Sequence, residues 1–200
     1  MSKSIEKARG IFEDHGGVLR TRQALVEGIS PRDLYAMRNN GIIIQISRGL
    51  YQLRTNEPPR EPDLVTVASR IPKAVICLTS ALFYHHLTSV IPRQVSIDLP
   101  RDAEKPRLDY PPLWIFWLST NAYSTGIETI TISEIPVKIY GLEKTIADCL
   151  KFRNKIGQDI AMEALKDYMR QPERKIDALM HYARINRVEK LAKQYLEALI

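Results

Sequence analysis

The spacing of apolar residues changes character several times along the first part of the chain. Ile5, Ala8, Ile11 and Phe12 recur at helical intervals between Ser4 and His15, and Gly16-Gly17 stops the run. Thr21 is a suitable N-cap for a short second helix, Arg22 to Glu27, which Gly28 ends. A third helix opens on stronger signals: Ser30 as N-cap, Pro31 at the first helical position, Asp33 in the capping-box place, and Ile29 with Leu34 as a hydrophobic staple. Beyond Asn39-Asn40-Gly41 two strand-like runs, Ile42 to Ile46 and Leu50 to Leu53, flank Ser47-Arg48-Gly49. Three short helices and a hairpin with Arg48 at its tip are the element order of a winged helix-turn-helix.

The stretch Arg54 to Pro62, RTNEPPREP, is polar, rich in proline and without periodicity, so it reads as a boundary. Residues 1–54 are then the winged helix-turn-helix, 55–62 a linker and 63–200 a second domain. In that second part a helix is predicted through Leu64, Val67, Ala68 and Ile71, a buried strand over Ala74 to Cys77, and a helix capped by Ser80 running through Tyr84 and Leu87. Strands follow at Val95 to Leu99, Leu113 to Leu118, Ile127 to Ile132 and Val137 to Tyr140, as antiparallel or mixed neighbours. The last third is helical: Leu142 to Phe152, Gln158 to Met169, Lys175 to Ala183, and a final helix with Val188, Leu191, Tyr195 and Leu199 on one stripe. The expected fold class is α+β, a winged helix-turn-helix followed by a mixed α/β domain with a helical C-terminal third.

Hydrophobic residues are 44% of the chain and charged ones 26%, which supplies a core and excludes a disordered polymer. No run approaches the roughly 18 apolar residues of a membrane helix. The start MSKSIEKARG lacks the apolar centre of a signal peptide, so a cytoplasmic protein is expected. Residues 1–60 hold ten Lys or Arg against six Asp or Glu, a net +4 within a total of +6. That distribution directs the search for a polyanionic partner to the first domain. Cys77 and Cys149 sit in apolar runs without CxxC spacing, the pattern of two buried thiols.

On the third helix Leu34 and Met37 face the core, which leaves Arg32, Tyr35, Ala36 and Asn39 as an outer stripe. Arg and Asn carry the forked donors and acceptors that match guanine and adenine edges, so Arg32, Asn39 and Arg38 are the candidates for base contact. Arg20, Thr21 and Arg22 begin the second helix, where backbone N–H groups favour a phosphate, and Arg48 offers another contact from the wing. Asp33 would repel a phosphate and is read as a cap.

The second domain shows no catalytic constellation. His85 and His86 are adjacent and point about 100° apart on a helix, unlike an HExxH pair. Asp98, Glu134 and Lys138 loosely suggest a nuclease, but no acid stands two residues before the lysine. Phosphate-loop, dinucleotide-fingerprint and nucleophile-elbow motifs are absent from the sequence. A non-enzymatic protein without metal or cofactor is expected.

Several blocks in one order resemble AbiEi-family antitoxins, the regulator half of AbiE-type abortive-infection systems. They are Gly16 to Leu53, Ser80 to Pro92, Arg107 to Ser119, Ala122 to Ile132 and Pro136 to Met169. The resemblance implies a winged-helix repressor that binds inverted repeats in its own promoter and neutralises a nucleotidyltransferase-like toxin, a type IV toxin–antitoxin arrangement. It places DNA contacts on Arg32, Tyr35, Arg38 and Asn39, on Arg20, Thr21 and Arg22, and on Arg48. Its partners are double-stranded promoter DNA and, functionally, a toxin, with the chain a monomer or weak dimer and no membrane. The antitoxin role falls to the second domain, where Glu143, Lys144 and Asp148 are polar positions of a helix, suited to capping and ion pairing. Lys151, Arg153 and Lys155 form a basic run beside it. Two alternatives stand: a stand-alone regulator whose second domain senses a ligand or dimerises, and a nuclease targeted by the winged helix.

Overall fold

The computed structural model describes residues 3–54, 61–133 and 135–199. Most of the expected linker, and Glu134, lie outside the described residues. The chain divides into two compact units, one running to Arg70 and including Thr131–Pro136, the other comprising Ile71–Ile130 and Val137–Ile200.

The first unit runs α1 (Lys3–Asp14), β1 (Val18–Arg20), α2 (Thr21–Val26), α3 (Pro31–Asn39), β2 (Ile43–Ser47), β3 (Leu50–Leu53) and α4 (Pro62–Arg70). Strand β3 lies between β1 and β2 and is antiparallel to both, with Leu19 opposite Tyr51 and Ile43 opposite Leu53. Ala8 and Phe12 from α1, Ala24 from α2, Leu34 and Met37 from α3 and Ile43 from β2 close one apolar cluster. Burying side chains of this size contributes about 1.5–3 kcal/mol each for the larger ones. Strand β1 is not among the predicted elements, because three residues are too few to show alternation; its pairing with β3 defines it.

One expectation is corrected here. Thr21 is not the N-cap of α2 but its first residue; Arg20 occupies the cap, and the Thr21 hydroxyl turns instead to Gly49 O at 3.3 Å. Helix α4 groups with the first compact unit, which runs to Arg70. Arg20 Nη2 donates to Ser69 O, and Arg70 Nη1 donates to Arg48 O at 3.1 Å.

The remaining elements, in the second unit apart from the Thr131–Pro136 ends of β7 and β8, are β4 (Val75–Ile76), α5 (Leu78–Tyr84), β5 (Val95–Pro100), β6 (Leu113–Leu118), α6 (Thr120–Ser124), β7 (Ile127–Ile132), β8 (Ile135–Tyr140), α7 (Leu142–Lys151), α8 (Arg153–Ile156), α9 (Gln158–Met169), α10 (Ile176–Ile185) and α11 (Glu189–Glu197). The five-stranded sheet has the order β6-β5-β4-β8-β7 and is mixed: β4 is antiparallel to β5 and parallel to β8, and β5 is parallel to β6. The cap expected at Ser80 is at Cys77; Ser80 lies inside α5, where its Oγ accepts from the Ser96 N–H at 2.9 Å and binds the helix to β5.

Helix α7 is the centre of this unit. Seven consecutive residues, Lys144 to Leu150, are buried, which for a helix means neighbours on every side. Gly126, at φ +81°, permits one of those contacts: a Cβ there would lie 2.9 Å from Lys144 Cβ.

Candidate nucleic-acid interface

Helix α3 is held at its start by the capping box read from the sequence. The Asp33 N–H donates to Ser30 Oγ at 3.0 Å, and Ser30 Oγ donates to Asp33 Oδ2 at 2.8 Å. A cap of this kind contributes about 1 kcal/mol and fixes where the helix begins. Asp33 also accepts from Ser4 Oγ at 3.1 Å, so it joins α3 to α1.

With Leu34 and Met37 fully buried, the opposite face of α3 is presented outward. Arg32, Tyr35, Arg38 and Asn39 are all exposed on it. Arg38 lies over the Tyr35 ring, 5.1 Å from its centroid, and donates to Asn39 Oδ1 from Nε and Nη2 at 3.4 and 3.3 Å. The three side chains form a connected patch with a planar guanidinium at its centre. Arg32 stands one turn earlier, exposed and with no partner among the described residues.

The remaining predicted residues separate into two groups. Arg22 at the start of α2 and Arg48 at the wing tip are exposed side chains. Arg20 and Thr21 are engaged inside the unit, Arg20 on Ser69 O and Thr21 on Gly49 O through both its amide, at 2.9 Å, and its hydroxyl. Gly49 makes the two-residue wing turn at φ +75°. Arg70, which sequence reading assigned to the second domain, holds the wing through Arg48 O; no local pattern marks it, since the contact spans 22 residues.

The chemistry of the second unit is buried. Lys144 Nζ lies 2.6 Å from both carboxylate oxygens of Asp148, with both side chains inaccessible, and 4.2 Å from the Tyr140 ring centroid. Asn186 Nδ2 donates to the same Asp148 at 2.6 Å. Asp98 is fully buried on β5, and burial, reinforced by the Asp148 charge, pushes its pKa well above the usual carboxylate range despite Lys144 nearby. Lys138 is instead exposed and donates to Pro72 O at 3.2 Å. A sealed Asp98 gives a substrate no approach, so the nuclease alternative loses its first acid. Cys77 and Cys149 are free and buried, as read from the sequence, and burial raises both thiol pKa values. His85 Nε2 is 2.8 Å from Tyr140 O.

Helices α1 to α3 with a two-stranded wing paired to a short third strand define the winged helix-turn-helix class. Within that class, residues 7–54 match the family described as transcriptional regulator, AbiEi antitoxin, so the resemblance read from the sequence is shown over this segment. The matched family is one of regulators. No curated protein matches the chain. Among solved structures, the RV2827C protein from Mycobacterium tuberculosis is similar in fold, with a TM-score of 0.55 at 12% identity, over 98% of this chain and 82% of that one. No helix among the described residues is long and apolar enough to cross a membrane.

Proposed function

We propose that this chain is a DNA-binding antitoxin of a type IV toxin–antitoxin system. It represses its own operon by binding inverted repeats in the promoter and counteracts a nucleotidyltransferase-like toxin through the second unit. The observation that carries the reading is the outer face of α3. Arg32, Tyr35, Arg38 and Asn39 are exposed together on a helix whose other face is anchored by Leu34 and Met37, inside the segment that matches the AbiEi regulator family.

The roles follow from chemistry. Arg32 and Arg38 offer forked donors to guanine, Asn39 offers a donor and an acceptor to adenine, and Tyr35 supports Arg38 from below. Arg22 and Arg48 supply positive charge to phosphates on either side of the base contacts. Arg20 and Thr21 act by position, holding the start of α2 to the wing and to α4. The protein works in the cytoplasm as a monomer or weak dimer, two copies occupying the halves of an inverted repeat.

A reporter driven by the chain's own promoter, read with and without the neighbouring gene expressed, tests this. The chain represses the reporter and relieves growth arrest caused by that gene, and Arg32→Ala raises reporter output about tenfold, the equivalent of one lost base contact. A reporter indifferent to the chain removes the repressor reading. Repression without any toxicity from the neighbouring gene leaves a stand-alone regulator.

A further inference from the structure

The second unit contains a cleft of about 760 Å³, within the range of small-molecule sites, that the promoter reading does not use. Its walls carry Arg101, Lys151, Arg184 and Arg187, with no carboxylate among the lining residues. Arg184 has a partner, Glu189 at 2.8 Å, which leaves three cations converging on the same space without an ion pair among the described residues. Burial lowers the Lys151 pKa; Asp148 and Asp98 oppose that shift, while repulsion from Lys144 and, least, from Arg187 adds to it. A bound anion would relieve the repulsion.

One further observation says what kind of anion. Trp117 lines the cleft and is 42% exposed, and its Nε1 donates to Ala103 O at 3.0 Å, so the indole is held in place with part of its surface uncovered. Aromatic surfaces of this sort stack nucleobases. A bare inorganic anion has no face to stack there.

We propose that this cleft binds a nucleoside phosphate, with Arg101, Lys151 and Arg187 on the phosphate and Trp117 against the base. A free nucleotide and the terminal nucleotide of a strand share that chemistry. The site stands on residues of the second unit alone and does not depend on DNA binding by α3. Arg187 sits just after the α10 C-cap at φ +59°, a place and conformation usually given to glycine. Replacing it with glycine therefore removes the charge without straining the fold.

The test uses calorimetric titration of the full chain with AMP, UMP, inorganic phosphate, adenosine, and a short single strand with a terminal phosphate. Saturable binding of the mononucleotides or of the strand is expected, with phosphate and adenosine each at least about tenfold weaker. Binding by the strand alone identifies a chain end as the source. Arg101→Gln, Arg187→Gly and Trp117→Leu each weaken binding about tenfold, while Arg187→Gly keeps or raises the Tm and leaves promoter affinity unchanged. The proposal is overturned if no probe saturates up to millimolar concentration, if phosphate binds as tightly as the nucleotides, or if folded variants bind like the wild type.

Discussion

Around Phe12, Leu34 and Met37 the first unit encloses an apolar cluster and carries its arginines on the outside, whereas the second encloses Lys144, Asp148 and Asp98 at the centre of its own core. The difference lies in what burial does in each. In the first unit burial only sets the pose of α3, and the exposed stripe can vary without disturbing what holds it. In the second unit a charged cluster is part of the packing, since Asp148 receives Lys144 from its own helix and Asn186 from the end of α10. Both tryptophans belong to the second unit, so their fluorescence reports its unfolding.

The largest effect is expected where that contrast is sharpest. Lys144→Met leaves Asp148 buried with one partner fewer and destabilises by about 3–5 kcal/mol, whereas Lys144→Met with Asp148→Leu recovers most of the loss. Urea titrations followed by tryptophan fluorescence measure both, and a double variant no more stable than Lys144→Met would mean that removing the unpaired carboxylate restores nothing.

Asp98→Asn comes next. The folded pKa of Asp98 is raised, so its favourable contribution is complete below the unfolded pKa of about 4 and is lost as pH rises toward the folded value. The variant has no such loss. It gains on the wild type with increasing pH and matches it in acid. A stability difference independent of pH would show that folding leaves the Asp98 pKa unshifted.

Smaller still is Ser30→Ala, which removes the α3 cap at a cost of about 1 kcal/mol. Far-ultraviolet circular dichroism during heating should register the loss without a matching shift in tryptophan fluorescence. Coincident shifts by both probes would join the two units into one cooperative block and weaken the comparison.

Local signals carried much of this. Ser30, Pro31 and Asp33 announced α3, and the runs at Leu113–Leu118, Ile127–Ile132 and Gln158–Met169 formed elements with the predicted bounds. Long-range bonds displaced what local rules expected: the Thr21 and Ser80 hydroxyls left their capping roles for Gly49 O and the Ser96 amide, and Arg20 with Arg70 drew α4 to the first unit. Lys144 and Asp148 were legible as an i,i+4 pair but not as buried, because charge on a helix ordinarily signals a solvated face. The cleft could not be read at all, since Arg101, Trp117, Lys151 and Arg187 come from separated segments that only the fold assembles.

The central claim, base-specific recognition by α3, is tested most directly by fluorescence anisotropy with the chain's own promoter fragment and a scrambled fragment across a salt series. The wild type should prefer the promoter, Arg32→Ala should lose about 1–3 kcal/mol of that preference, and Arg48→Ala should weaken both fragments alike and reduce the salt slope by about one. Equal affinity for the two fragments, or an Arg32→Ala variant that discriminates as the wild type does, would contradict the account.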